Sequence, residues 1–257
     1  MLKQVKATLA VEARDKLGEG PVWDGPQQRL LWQDHGSGII REARADGAGG
    51  WRESRRWNLN RAIAASIPRR RGGLVVPGGM EIFLMDDAGT LSSFAHIDAD
   101  SELARINDAK CDARGRLWAG TLTSNFQSGG GALYRIDPDR TVKTMLQGVT
   151  LANGLDWSPD GTTFYFVDSF TRSVDAFDFE VDTGEISNRR TLVTLKSGVP
   201  NGMTVDREGH LWVAATGGGN VQSYSPTGEL LTCIEIGTPG ATSCAFGGAD
   251  CAHLFIT

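Results

Sequence analysis

Residues 109–121, AKCDARGRLWAGT, and residues 202–216, GMTVDREGHLWVAAT, are two copies of one pattern. An apolar strand runs into an Asp-x-x-Gly turn, and a Trp-centred strand leaves the turn and ends in small and hydroxylated residues. Working outward, residues 154–169, GLDWSPDGTTFYFVDS, and residues 21–34, PVWDGPQQRLLWQD, repeat it with other turn residues. The middle of each second strand falls at Trp32, Val75, Trp118, Tyr165 and Trp212, in steps of 43 to 47 residues. One further step of about 43 lands near Phe255, and this is the period of four-stranded propeller blades. A sandwich or open sheet needs no such period. The expectation is therefore an all-β, six-bladed β-propeller, a single domain over residues 1–257.

Alternating apolar and polar residues mark the remaining strands. SVDAFDFE, ALYRID and NVQSYSP read as third strands, and RRTLVTLK and LLTCIEI as fourth strands. The sixth unit holds only TSCAFGG and HLFIT, so the last blade is expected to be incomplete at the C-terminus. KATLAVEA, residues 6–13, is the candidate strand to close it. An open blade edge would be free to pair with another chain, so self-association is expected.

Glycine supplies 33 of 257 residues, as many tight turns require and as helices would not tolerate. The net charge of −5 argues against a nucleic-acid footprint, and Arg69-Arg70-Arg71 reads as a solvated turn. No apolar run approaches the length of a membrane span, and the N-terminus has no apolar core of a secretion signal. Four cysteines without a Cys-x-x-Cys pair make no disulfide framework, which fits the reducing cytoplasm.

In a propeller the first strand of every blade lines the central channel, so equivalent positions converge on one mouth. Four residues before Trp23, Cys111, Trp157 and Val205 stand Glu19, Asn107, Asn153 and Asn201. The second unit offers no such residue near Ile63, and the sixth only Thr242 or Ser243. Two readings stand: asparagines serving the turns before strands, or an oxygen cage for one hard divalent cation. His35, His96, His210 and His253 lack the spacing of a thiolate and imidazole zinc site. Second strands return to the same face, placing Asp34, His35, Thr121, Asp168, Ser169 and Thr216 near the mouth. Arg105 is a candidate clamp for an anion or hydroxyl, or a surface ion-pair partner.

LGEGPVWD, RINDAKCDARGRLWAGT, NGLDWSPDGTTFYFVDSFTRSVDAFDFEVDTGEISNRR and GVPNGMTVDREGHLWVA together make the chain resemble the regucalcin/gluconolactonase family, also called senescence marker protein. The resemblance runs from about Leu17 to the C-terminus. It implies a six-bladed propeller binding one divalent cation (Ca²⁺, Zn²⁺, Mn²⁺ or Mg²⁺) and hydrolysing small sugar lactones. It implies Glu19, Asn153 and Asn201 as metal ligands and Arg105 and Asn107 as substrate contacts; His35, at the end of a second strand, is a further candidate substrate contact. Where the family carries an aspartate that acts as general base, this chain has Asn201. An amide can ligate through its carbonyl oxygen but brings no charge and accepts no proton at neutral pH. With Asn201 as ligand, hydrolysis would then rely on the metal-bound water, or on another base such as Asp168 or His35. The alternative is a metal- or ligand-binding propeller that no longer hydrolyses.

Overall fold

The computed structural model describes residues 3–99 and 101–257. After β1 (Lys3–Lys6), the first blade is β2 (Gly18–Asp24), β3 (Arg29–Asp34), β4 (Ile39–Ala45) and β5 (Trp51–Asn58). The second is β6 (Ile67–Pro68), β7 (Leu74–Gly78), β8 (Glu81–Met85) and β9 (Leu91–His96). The third is β10 (Ala104–Cys111), β11 (Leu117–Thr123), β12 (Gly131–Ile136) and β13 (Val142–Val149). β14 (Ala152–Trp157), β15 (Thr163–Asp168), β16 (Ser173–Glu180) and β17 (Glu185–Thr194) make the fourth. The fifth is β18 (Val199–Val205), β19 (Leu211–Thr216), β20 (Asn220–Tyr224) and β21 (Leu230–Glu235), and β22 (Cys244–Gly247) and β23 (His253–Ile256) form a separate hairpin.

The all-β propeller is as expected, but the blade count is not. Among the described residues there are five full blades rather than six, with the β22–β23 hairpin seated after the fifth. Apolar clusters fill the seams between successive sheets. Trp118, Phe164 and Phe166 weld the third blade to the fourth, and Met203, Val213 and Tyr165 weld the fourth to the fifth. Cys244 packs the hairpin against Ala214 and Val221 of the fifth blade, while Phe255 packs it against Leu30 and Trp32 of the first.

The N-terminal strand does not close the last blade. β1 adds to the outer edge of the fifth blade, parallel to β21, with Lys3 opposite Thr232 and Lys6 opposite Glu235. Of KATLAVEA only Lys6 is in a strand. The segment beyond it is captured by the first blade instead. Asp15 accepts from the Trp32 indole at 2.8 Å and pairs with buried Arg41 at 2.7 Å, while Val11 and Ala13 cover the Phe255 cluster. Backbone pairing at one end and a buried ion pair at the other leave β23 with no partner on its outer edge among the described residues.

Candidate metal and substrate site

Three of the four mouth positions lie in β-bulges of the innermost strands, and the fourth, Glu19, borders one. The register slips between Glu19 and Val22, Ile106 and Asp108, Ala152 and Leu155, and Pro200 and Met203. A bulge inserts one unpaired residue and re-aims its side chain. Here the re-aimed residues include Asn107, Asn153 and Asn201, and the slip in β2 begins at Glu19.

Hydrogen bonds join these residues from blade to blade. Arg105 Nη1 donates to Asn107 Oδ1 and lies within hydrogen-bond distance of His35 Nε2, both at 3.0 Å. Asn107 Nδ2 donates to Asn153 Oδ1 at 2.9 Å and to the Ala152 carbonyl at 2.7 Å. Asn153 Nδ2 donates to Ser169 Oγ at 2.7 Å, and Ser169 Oγ to the Pro200 carbonyl at 2.6 Å. Asn201 Nδ2 donates to Thr216 Oγ1 at 3.0 Å, which passes a bond of 2.6 Å to the Ala241 carbonyl. Thr242 Oγ1 returns to the Gly18 carbonyl at 2.5 Å, next to Glu19. His35, Arg105, Asn107 and Asn153 are thus in direct contact. Asn201 joins them through Ser169 and its own neighbour Pro200.

One polar atom stands outside this circuit. Asn201 Oδ1 is buried and has no hydrogen-bond partner. A buried carbonyl oxygen left unmet costs about 1–3 kcal/mol, so the position calls for a ligand. The carboxyl of Glu19 is held toward its neutral form: burial first, then the nearby charge of Asp108, push it from 4.5 up to about 8, against the Gly20 amide, the Arg105 charge and the Thr242 hydroxyl. An orphaned amide oxygen and a desolvated carboxyl are what an oxygen-liganded divalent cation would satisfy, so the donor set fits such an ion.

His35 is a poor base. Burial, and then the Arg105 guanidinium, drop it to about 4, and its Nε2 lone pair faces that guanidinium. The ring is therefore neutral and holds Arg105 in place. Arg105 itself is lowered by burial, opposed by the charge of Glu19.

Asp168 does not stand free as a base. Its carboxylate accepts the amides of Thr150 at 2.9 Å, Leu151 at 3.1 Å and Phe170 at 3.2 Å. Asp34 does the same in the first blade, accepting Lys16 and Leu17 at 3.3 and 3.2 Å. Both carboxylates hold the amides three and two residues before a mouth donor, Asn153 or Glu19. They are positioning residues. Thr121 Oγ1 is likewise occupied, bonded to the backbone of Ala132.

At the opposite end of the blades Asp206, Glu208 and His210 gather ligand atoms within 4.8 Å. Asp206 there already accepts from the amides of Glu208 and His210 and from the Trp212 indole, so the group is a tied turn.

Residues 17–257 match the family described as SMP-30/Gluconolactonase/LRE-like region. The chain belongs to this family. It is 34% identical over 263 residues to regucalcin of Danio rerio, covering 100% of this chain and 87% of that one. Among solved structures of the family, a calcium-binding regucalcin from Agrobacterium tumefaciens superposes with a TM-score of 0.91 at 26% identity, covering 100% of this chain and 86% of the other. A gluconolactonase from Xanthomonas campestris superposes with a TM-score of 0.79 at 25% identity, covering 95% and 83%.

Proposed function

We propose that this protein is a divalent-cation-dependent hydrolase of small sugar lactones, working at the channel mouth in the cytoplasm. The unmet Asn201 Oδ1 beside a circuit of oxygen donors carries the reading, and the family's gluconolactonase member supports the reaction class. Glu19, Asn153 and Asn201 would hold the cation. Bound there, it supplies Lewis acidity toward the lactone carbonyl and toward water.

The protein's own groups do the rest. Arg105, fixed by His35 and Asn107, has further N–H donors for an oxygen of the lactone. Water adds to the acyl carbon, the ring C–O bond breaks, and the ring oxygen leaves with a proton as the hydroxyl of the open acid. A carboxylate that removes the proton from the attacking water is typically worth 10²–10⁴-fold. Asn201 cannot do this, so turnover is expected to be slow.

Release of acid from gluconolactone, followed with and without Ca²⁺, Mn²⁺, Mg²⁺ or Zn²⁺, tests the proposal. Cation-dependent release above the buffer rate is expected, and Asn201→Asp is expected to raise it by 10-fold or more. No release with any of these ions would remove the hydrolase reading. It would leave a cation-binding propeller, which the loss of a base at Asn201 favours as the second reading. All four cysteines are free, in keeping with a reducing compartment. Among the described residues no helix is long and apolar enough to cross a membrane.

A further inference from the structure

Four side chains at the mouth donate across a seam to a backbone carbonyl, each time that of the residue just before a mouth position. Asn107 Nδ2 reaches the Ala152 carbonyl at 2.7 Å, before Asn153, and Ser169 Oγ the Pro200 carbonyl at 2.6 Å, before Asn201. Thr216 Oγ1 reaches the Ala241 carbonyl at 2.6 Å, before Thr242, and Thr242 Oγ1 that of Gly18 at 2.5 Å, before Glu19. Ser169, directly after β15, and Thr216, the last residue of β19, hold equivalent places in the fourth and fifth blades.

A carbonyl oxygen only accepts, so Ser169 and Thr216 have each spent their single hydroxyl proton. Whatever else bonds to those hydroxyl oxygens must donate. Asn153 Nδ2 does so to Ser169 at 2.7 Å, and Asn201 Nδ2 to Thr216 at 3.0 Å. Turned over, either amide would set its oxygen against a hydroxyl with no proton to give. Asn153 would also lose its bond from Asn107 Nδ2, which the Ala152 carbonyl fixes in turn. The consequence is sharpest at Asn201. Its Oδ1 is buried without a partner, and turning the amide over would relieve that if Thr216 had a proton to offer. Ala241 has already taken it. The fold thus holds this amide in the orientation that leaves its oxygen unmet, at a cost of about 1–3 kcal/mol.

We propose that Thr216 and Ser169 are positioning residues that keep the oxygens of Asn201 and Asn153, rather than their nitrogens, available to the mouth's divalent cation. This rests on reading the mouth as a cation site, and it is independent of whether lactones are hydrolysed. A hard cation takes oxygen ligands, and an amide N–H offers it nothing. The Asn153 oxygen accepts from Asn107 and keeps a second lone pair for the ion. An amide able to turn would present the wrong atom part of the time, and affinity falls with the fraction that is competent. A carboxylate has two equal oxygens and no wrong face, so the device serves only an amide.

Calorimetric titration of the full chain with Ca²⁺ and with Mn²⁺ tests this, with thermal melts confirming that each variant folds. Thr216→Val, which keeps the shape and removes the hydroxyl, is expected to weaken binding about 10-fold or more, and Thr216→Ser to recover most of the loss. In an Asn201→Asp background the same Thr216→Val change should cost less than about twofold, because no orientation is left to lose. That contrast separates orientation from any loosening at the Ala241 carbonyl, which both backgrounds share. An equal loss in both backgrounds would overturn the assignment. So would Thr216→Val within about twofold of wild type while Glu19→Gln abolishes binding, a result that leaves the cation site standing. No binding to the wild type would overturn both. Should Thr216→Val fail to fold, Ser169→Ala, read with and without Asn153→Asp, decides by the same criterion.

Discussion

The two ends of the blades use the same kinds of side chain to opposite effect. At the far end Asp112 turns the third blade: it accepts the amides of Arg114 and Arg116, the Trp118 indole at 3.0 Å and the buried Arg116 guanidinium at 2.6 Å. Asp206 turns the fifth blade in the same way. At the mouth, Glu19 has been pushed up to about 8 and Asn201 Oδ1 has no partner at all. Saturation marks a group that holds the fold, and want of a partner marks one kept for a ligand. The Asp-x-x-Gly motif is the more eye-catching in sequence, yet it is the structural one.

Removing a saturated carboxylate should hurt the most. Asp112→Ala leaves Arg116 as an uncompensated buried charge and is expected to cost about 3–5 kcal/mol in urea unfolding. Glu19→Gln should cost the cation-free protein nothing by the same measurement. Equal losses at the two ends would break the comparison.

The next effect is in pH. A carboxyl held at about 8 when folded and 4.5 when unfolded is protonated in the folded state after the unfolded chain has ionised. Its contribution is complete below 4.5 and is lost as pH rises toward 8. His35, neutral in the folded state, contributes an opposite slope that fades as pH rises above the unfolded value of 6.5, so between 6.5 and 8 the carboxyl dominates. The cation-free protein should lose stability across that window, by on the order of 1 kcal/mol or more. Saturating Ca²⁺ or Glu19→Gln should flatten the slope in melts at the two pH values.

Asp168 sharpens the distinction, since it is saturated yet sits at the mouth end. Asp168→Ala strands three amides and should cost about 1–3 kcal/mol. It should also weaken cation binding by loosening the segment before Asn153, an effect Asp112→Ser would not share if that variant is folded. The smallest effect concerns the open edge of β23. Light scattering should show self-association rising with concentration, and His253→Lys, adding charge to an exposed edge residue, should weaken it a few-fold.

Much was legible without coordinates. A repeat of 43 to 47 residues, the alternation within SVDAFDFE and the glycine turns led to a propeller, and SVDAFDFE is β16 residue for residue. Equal offsets led to Glu19, Asn107, Asn153 and Asn201, because a radial repeat brings equal positions to one place. What failed was any inference about which partner a polar group would find. Asp168 was open to reading as a base because it ends a second strand that returns to the mouth, but the amides of Thr150, Leu151 and Phe170 reach it first. The N-terminal segment was expected in the last blade, but β21 offers its edge and Asp15 finds Arg41.

Periodicity, turn chemistry and the identity of the mouth donors are properties of local sequence and of a repeated unit, so the chain alone determined them. The competition among donors and acceptors and the orphaned oxygen of Asn201 arise only when strands from different blades meet. Those were decided by tertiary packing, because hydrogen-bond satisfaction and steric exclusion depend on neighbours distant in sequence.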